Sequence, residues 1–255
     1  MEFKKDKLLV KCFETRDEMG KASANDIAEC IIKLLSEKEE INIIFAAAPS
    51  QNDMLYHLCN RDDIDWSRIN AFHMDEYIGL NPEAPQCFSN FLKKYIFDLK
   101  PFKSVNLINA GANDAQKEAE RYTKLLAGNP VDIVCMGIGE NGHIAFNDPH
   151  EAHFDDEKTV KPVTLDEACR NQQVNDGCFA KIDDVPKQAL TLTIPALMAA
   201  QYNFCVVPAP TKANAVKNTV FGEISEKCPA SILRKKDNAV LYCDADSSSL
   251  IKDEI

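Results

Sequence analysis

Short apolar runs alternate with longer amphipathic stretches along most of the chain. The apolar runs have the lengths of β-strands, and the most apolar of them show no polar alternation, as expected for parallel strands buried on both faces. This pattern predicts strands at Ile41–Ala48, Arg68–Met74, Val131–Met136, Ala189–Ile194, Tyr202–Val207 and Ala239–Cys243.

The amphipathic segments between these runs predict helices. Thr15 and Glu18 have the spacing of a capping box, and the helix that they open reaches about Ser36. Two further helices are predicted to begin at Asn113-Asp114 and at Pro210-Thr211, where polar or proline-containing turns precede apolar positions spaced three or four residues apart.

Strands that alternate with helices predict an α/β fold. We expect a single domain over residues 1–255, with one doubly wound, mostly parallel sheet in a Rossmann-like arrangement and helices on both faces. The polar tail Asp244–Ile255 is expected to fray, because chain ends with few apolar residues are poorly held.

Composition narrows the class of protein. The 255 residues carry a net charge of -11, which argues against nucleic acid as a partner because phosphate backbones attract basic surfaces. The sequence has no apolar stretch of about 18 residues and a charged N-terminus, so we expect neither a membrane segment nor a signal peptide. The ten cysteines are scattered without a C-x-x-C pair, which indicates buried thiols in a reducing, cytoplasmic compartment.

Three loops that follow predicted strands carry unusual polar residues. Ligands of open α/β sheets bind at the carboxyl ends of strands, so these loops are the candidate site. The first loop contains Ser50, Gln51 and Asn52 between a strand and a helix, where backbone amides can face a phosphate. The alternative is that Ser50 or Asn52 simply caps the helix.

The second loop contains the adjacent acids Asp75 and Glu76. In an extended chain their side chains point to opposite faces, so one can enter a cleft while the other makes a structural contact. The alternative is a solvent-exposed pair of carboxylates at a strand end.

The third loop has three glycines within Gly137–Gly142, followed by His143 and Asp148. The glycines permit positive φ angles and close approach of a ligand, and histidine is the side chain best suited to proton transfer near neutral pH. The glycine spacing differs from the dinucleotide-binding fingerprint. A core histidine beside a tight turn is the alternative.

The segments Met74–Leu80, Gly137–Pro149 and Val185–Thr191 resemble the glucosamine-6-phosphate deaminase/isomerase family, which is related in fold to 6-phosphogluconolactonases. The run His143–Asn147 resembles the deaminase branch more than the lactonase branch. The resemblance covers nearly the whole chain and implies conversion of glucosamine 6-phosphate and water to fructose 6-phosphate and ammonia, without a metal or another cofactor.

The resemblance also implies roles for individual residues. Asp75 would move a proton between C2 and C1 of the open sugar, and His143 would assist ring opening. Asp148 would orient His143, amides near Gly139 would hold sugar oxygens, and Lys212 would contact the substrate phosphate.

The sequence departs from the family pattern at four places. Asn141 stands where Asp is usual and is expected to orient His143, and Asp148 stands where Glu is usual, so the relay must be rebuilt or bridged by water. The phosphate loop has Ser50, Gln51 and Asn52 in place of glycines, followed by Asp53, which would repel a phosphate unless it points away. The lid segment Arg170–Gly177 lacks the family arginine, and Arg170 either substitutes for it or is an ordinary surface residue.

Other functions remain open at this point. The same fold fits a 6-phosphogluconolactonase or a sugar-phosphate-binding regulatory protein with little turnover, and the sugar epimer is undetermined. His150 and His153 form only a weak metal-binding pattern, so no metal is predicted. The expected partner is a small phosphorylated sugar, and a homo-oligomer is compatible with the sequence.

Overall fold

The computed structural model describes residues 1–175 and 177–254, and within them every side chain except those of Ala168 and Asp253. The strands in chain order are β1 (Glu2–Lys5), β2 (Leu8–Cys12), β3 (Ile41–Phe45), β4 (Ile69–His73), β5 (Asp75–Tyr77), β6 (Ser104–Asn106), β7 (Ile133–Met136), β8 (Val160–Thr164), β9 (Gln188–Leu192), β10 (Tyr202–Val207) and β11 (Ala239–Cys243).

In the described part of the chain, eight strands form the central sheet in the order β1-β2-β11-β10-β7-β3-β4-β6. Each neighbouring pair is parallel except β1 and β2, which form an antiparallel hairpin at one edge. The prediction of a mostly parallel sheet is confirmed, and five of the six predicted strands lie in it. The strands at the two edges, β1, β2 and β6, were not predicted.

The helices are α1 (Arg16–Glu37), α2 (Asn52–Cys59), α3 (Phe88–Leu92), α4 (Ala115–Ala127), α5 (Glu167–Asn175), α6 (Ile194–Met198) and α7 (Ala213–Phe221). The predicted capping box opens α1, since the Thr15 side chain accepts from the Glu18 amide and the Glu18 side chain accepts from the Thr15 amide. Asp114 caps α4, because its side chain accepts from the Lys117 amide. A short 3-10 turn, Pro210–Lys212, precedes α7.

Helices cover both faces of the central sheet. Buried side chains of α1, α2 and α3 form one apolar cluster with Ile43 and Phe45 of β3. Buried side chains of α4, α6 and α7 form the second cluster with Ile44, the residue between them. Successive residues of a strand point to opposite faces, so the apolar run in β3 fills both clusters.

The predicted strand Ala189–Ile194 lies in a second sheet and not in the central one. This sheet is antiparallel, has the order β5-β9-β8, and pairs Asp75 with Thr191. β5 begins only two residues after β4 ends, so the chain leaves the central sheet at Met74 and pairs with β9. Apolar content alone does not distinguish the two sheets, because both are buried on at least one side.

The C-terminal tail is better held than its composition suggests. Asp244, Ser247, Ser248 and Ile251 are buried, and the Asp244 carboxylate accepts from the amides of Ala209 and Ser247. The expectation of a frayed tail is therefore wrong up to Ile251.

The expectation that most of the cysteine thiols are buried is met. Eight of the ten cysteines are buried, and Cys59 and Cys178 are partly exposed. Within the residues that the structure describes, no helix has both the length and the apolar character needed to cross a membrane.

Candidate active site

The loops that follow four adjacent strands enclose a cavity of ≈ 450 Å³. In sheet order these strands are β10, β7, β3 and β4, and their carboxyl ends share one edge of the parallel sheet. Of the residues predicted for the site, the cavity is lined by Ser50, Asp75, Gly139, His143 and Lys212. Residues far apart in sequence therefore meet because the strand order brings their loops together.

The two adjacent acids take different positions, as expected for an extended chain. Asp75 lines the cavity and is 7% exposed, whereas Glu76 is fully buried and accepts from the backbone amides of Phe88 and Ser89 at the start of α3. Burial raises the pKa of Asp75 well above its ordinary value, and the neighbouring Glu76 charge adds to this. Asp75 is thus a carboxyl group that holds its proton more tightly than usual at the cavity wall.

His143 stands on a tightly packed glycine loop. The Gly139 amide donates to the His143 carbonyl oxygen at 2.9 Å, and a Cβ atom at position 139 would lie 2.1 Å from the His143 ring. Gly142 has φ +83, and a Cβ there would approach the Cys228 sulfur to 2.6 Å. A Cβ at Gly137 would lie 2.9 Å from Gln51 Nε2, so close approach favours glycine at all three positions, and at Gly142 the backbone conformation does so as well.

Asn141 and Asp148 lie behind His143, outside the cavity. His143 Nδ1 is 2.8 Å from Asn141 Oδ1 and 3.0 Å from Asp148 Oδ1. Asn141 Nδ2 donates to the same Asp148 oxygen at 2.9 Å, and Asn141 Oδ1 also accepts from the His143 amide at 3.0 Å. The shorter Asp148 side chain thus reaches the histidine directly, without the water bridge considered from the sequence.

This arrangement fixes the chemistry of the imidazole. Both groups facing Nδ1 are acceptors, so Nδ1 carries a proton and Nε2 is left as the basic nitrogen available to the cavity. Burial alone would raise the pKa of Asp148, but hydrogen bonding to His143 and attraction by it lower that pKa to about 2. Asp148 is therefore charged at neutral pH, and its carboxylate lies 3.0 Å from Nδ1 of His143.

Cys169 on α5 completes this cluster and was not foreseen as a site residue. Among the described residues, the donor atoms of His143, Asp148 and Cys169 lie within 4.8 Å of one another, a grouping that could hold a metal ion. Burial raises the pKa of the Cys169 thiol, and the Asp148 charge raises it further. A protonated thiol is a hydrogen-bond donor to Asp148 and a poor metal ligand, so we assign the cluster to hydrogen bonding.

The three residues predicted for the phosphate loop occupy different environments in the structure. Ser50 lines the cavity, but Gln51 is fully buried and donates to Ser50 Oγ and to the Val206 carbonyl oxygen. Asn52 begins α2 and is not among the residues that line the cavity. Gln51 therefore fastens the loop to β10, and neither it nor Asn52 is positioned to contact a ligand in the cavity.

Arg16, the first residue of α1, also lines the cavity and was missed by the sequence analysis. Its Nε atom donates to the Asp53 carboxylate, and its Nη2 atom donates to the Pro49 carbonyl oxygen at 2.6 Å. This ion pair places a positive charge beside the Asp53 carboxylate and so reduces the repulsion that Asp53 was expected to exert on a bound phosphate. No local motif marks Arg16, because its partners lie more than 30 positions away.

Arg170 does not line the cavity. Its guanidinium donates to the carbonyl oxygens of Ile182 and Val185 and so attaches α5 to the loop that follows it. In this structure the Arg170 guanidinium makes structural contacts with two carbonyl groups, and its contact with the substrate stays a prediction. Gln172 and Gln173 of the same helix do line the cavity, and Asp176 lies outside the described residues.

Comparison with known proteins agrees with the geometry. A profile of the family described as glucosamine-6-phosphate isomerases/6-phosphogluconolactonase matches residues 14–242. A glucosamine-6-phosphate deaminase of Streptococcus suis is 36% identical over 232 residues, which cover 88% of this chain and 96% of the relative. One from Lactobacillus delbrueckii subsp. bulgaricus is 35% identical over 235 residues, which cover 92% and 96%.

Solved structures share the fold. A monomeric glucosamine-6-phosphate deaminase superposes with a TM-score of 0.84 at 29% identity, covering 94% of this chain and 99% of the other. A 6-phosphogluconolactonase from Thermotoga maritima gives 0.77 at 18% identity, covering 93% and 100%, which indicates a shared fold. The chain belongs to the glucosamine-6-phosphate isomerase/6-phosphogluconolactonase family.

Proposed function

We propose that the protein is an amino-sugar-phosphate isomerase-deaminase that converts glucosamine 6-phosphate and water to fructose 6-phosphate and ammonia. The observation that carries this proposal is a buried carboxyl group, Asp75, in the same cavity as a histidine whose Nε2 is left as the basic nitrogen. The curated relatives named glucosamine-6-phosphate deaminase support the same activity.

In the proposed reaction, Nε2 of His143 accepts the proton of the anomeric hydroxyl group and delivers it to the ring oxygen as the bond between C1 and the ring oxygen breaks. Asp75, once ionised, removes the proton from C2 and returns it to C1, and a second proton passes from the amino nitrogen to O1. C1 thereby becomes an alcohol carbon and C2 an imine. Water adds to C2, and the resulting carbinolamine releases ammonia to leave the ketone. One carboxylate can serve both carbons because they are adjacent.

The surrounding residues have positioning roles in this proposal. Asn141 and Asp148 hold the His143 ring and stabilise its protonated form, and Cys169 donates to Asp148. The raised pKa of Asp75 means that the ionised base becomes abundant only above the ordinary carboxyl range, so the acid limb of kcat/KM is expected there.

The test is a substrate panel. Ammonia release and ketose formation are measured with glucosamine 6-phosphate, galactosamine 6-phosphate and 6-phosphogluconolactone. We expect ammonia from an amino-sugar phosphate, with loss of at least about 100-fold in Asp75→Asn and in His143→Gln, the range for removing a general acid or base. Solvent deuterium should appear at C1 of the product.

Two results would overturn the proposal. Hydrolysis of the lactone without ammonia release would identify a lactonase, which needs no proton transfer at C2. Binding of sugar phosphates without turnover of any of them would identify a regulatory protein.

A further inference from the structure

The cavity carries two permanently charged cations among its described lining residues, Arg16 and Lys212. Lys212 is 5% exposed, so its charge is held in a mostly desolvated position. Arg16 reaches the cavity from α1, an element outside the strand-end loops that supply the proton-transfer groups.

The position of Arg16 is unfavourable for a positive charge, and a purely structural role does not explain it. It occupies the first position of a 22-residue helix, where the helix dipole disfavours positive charge and favours an anion. Asp53 offsets part of this cost, but Asp53 is itself half-buried beside the same cavity loop. The ion pair uses one of the five N–H donors of the guanidinium, and the bond to the Pro49 carbonyl oxygen uses a second.

Arg16 is adjacent to the Ser50 loop, and this loop packs against Gly137 of the glycine loop. Pro49, which accepts from Arg16, directly precedes Ser50, and a Cβ on Gly137 would lie 3.4 Å from Ser50 Oγ and 3.4 Å from the Val206 carbonyl oxygen. Lys212 lies at the end of the loop that leaves β10 after Val207. Arg16 therefore contacts the Ser50 loop from α1, and Lys212 follows β10, the strand to which Gln51 attaches the same loop.

We propose that Arg16 is a substrate-binding residue, which with Lys212 and Ser50 holds a phosphate monoester dianion on the substrate. This inference deepens the proposed function by assigning the cation that selects phosphorylated over neutral sugars. Asp53 holds the guanidinium in position, so its orientation is fixed before the ligand binds.

Arg16 accounts for the departures from the family pattern in both the phosphate loop and the lid segment. Arg170 is bonded to backbone carbonyl groups and is not among the described residues that line the cavity. Arg16 places a guanidinium at the cavity from α1. A loop with bulky Pro49 and Gln51 has less freedom to wrap its amides around a phosphate, and a guanidinium that donates several hydrogen bonds compensates for this.

The experiment compares Arg16→Gln, Arg16→Lys and a matched control, Arg61→Gln. Arg61 is also an arginine paired with an aspartate, Asp63, but it lies outside the cavity. Binding of glucosamine 6-phosphate, unphosphorylated glucosamine and inorganic phosphate is measured by calorimetry, and thermal unfolding shows whether each variant folds. Steady-state kinetics follow with the phosphorylated substrate.

We expect Arg16→Gln to weaken binding of glucosamine 6-phosphate and of phosphate by about 10- to 100-fold, the range for losing a charge-assisted hydrogen bond. Binding of glucosamine should not change, and KM should rise far more than kcat falls. Arg16→Lys should retain part of the affinity because it keeps the charge, and Arg61→Gln should match the unmodified protein.

A folded Arg16→Gln variant with unchanged phosphate affinity would overturn the inference, as would an equal loss for glucosamine. The binding measurements do not depend on turnover. If the protein binds sugar phosphates through Arg16 but releases no ammonia, the proposed function fails while this inference stands.

Discussion

Asp75 shows the conflict between stability and chemistry at a single residue. A carboxyl group with a raised pKa in the folded state is stable while protonated, and this contribution is lost as pH rises through the folded-state pKa. Ionised Asp75 is therefore a destabilising group at neutral and alkaline pH. In the proposed reaction this cost accompanies the placement of the base at a mostly buried position in the cavity wall.

Replacement of Asp75 by Asn is expected to abolish turnover and to stabilise the fold. The amide keeps the shape of the carboxyl group without a charge to desolvate, so the gain should increase with pH, by about 1.4 kcal/mol for each pKa unit of the shift. Urea unfolding of both proteins from acid to alkaline pH measures it. Equal stabilities at every pH would contradict the assignment of Asp75 as a buried, perturbed acid.

Asn141 and Asp148 form a matched pair, although each departs from the family pattern when taken alone. Asp148 Oδ1 lies 2.9 Å from Asn141 Nδ2, a distance at which two carboxylates would repel each other strongly. The amide removes this repulsion and still offers its oxygen to His143 Nδ1. The shorter acid at 148 and the neutral amide at 141 thus depend on each other.

Asn141→Asp is accordingly expected to destabilise the protein by about 1–3 kcal/mol at neutral pH, since one hydrogen bond becomes a contact between like charges. The deficit should shrink at acid pH, where one of the two carboxyl groups becomes protonated. Thermal unfolding across pH measures the effect. Asn141→Ala serves as the control, because it loses the hydrogen bonds without adding charge, and its deficit should vary little with pH.

At the scale of elements, α5 forms a wall of the cavity with two distinct sides. Gln172 and Gln173 line the cavity and Cys169 faces Asp148, whereas Arg170 bonds the carbonyl groups of Ile182 and Val185. Its inner side therefore contacts the site and its outer side fixes the helix to the chain that follows. Loss of the outer contacts should affect the site through the position of the helix.

Arg170→Ala is predicted to increase hydrogen exchange in Glu167–Asn175 and to raise KM several-fold with a smaller change in kcat. The protein should lose about 1–3 kcal/mol of stability, because the carbonyl groups of Ile182 and Val185 lose a charged donor. Lys181→Ala, which removes an exposed pair with Asp184, is the matched control and should have little effect. A kcat loss as large as that of Asp75→Asn would instead indicate a direct catalytic role for Arg170.

At the scale of the whole molecule, a second histidine supports the sheet. His73 ends β4, is fully buried, and accepts from the Ile108 amide through Nε2 at 2.8 Å. Burial lowers the pKa of His73 to about 3. The folded protein thus contains a neutral histidine where the unfolded chain, with a pKa near 6.5, would bind a proton.

The protein is therefore expected to lose stability as pH falls from about 6.5 toward 3, since only the unfolded chain gains a proton in that interval. The loss should approach several kcal/mol, and His73→Gln, which retains an acceptor, should reduce the slope. Denaturant unfolding between neutral and acid pH measures it. His57→Gln provides a comparison, because His57 pairs with the exposed Asp17 on the surface.

The sequence carried enough information for much of the fold. Tyr202–Val207 and Ala239–Cys243 form strands with the predicted bounds, and the capping box at Thr15 opens the first helix as predicted. These features are local, since a strand or a helix start depends on residues within a few positions. The loops after the strands were identified for the same reason, because parallel strands deliver their carboxyl ends to one edge.

Other features depended on contacts that no local pattern contains. Arg16 enters the cavity because α1 packs beside the loop of Pro49 and Asp53, and Arg170 turns away because Ile182 and Val185 lie behind α5. Strand β9 lies outside the central sheet because it pairs with β5 in an antiparallel arrangement.

The sequence by itself thus determined five strands of the central sheet, the edge of the sheet that holds the site, and the residue types capable of proton transfer. The tertiary structure alone decided which charged groups face the cavity and which support it from behind. The physical reason is that periodicity specifies which face of an element is buried, whereas the partner of a long polar side chain is set by elements distant in sequence.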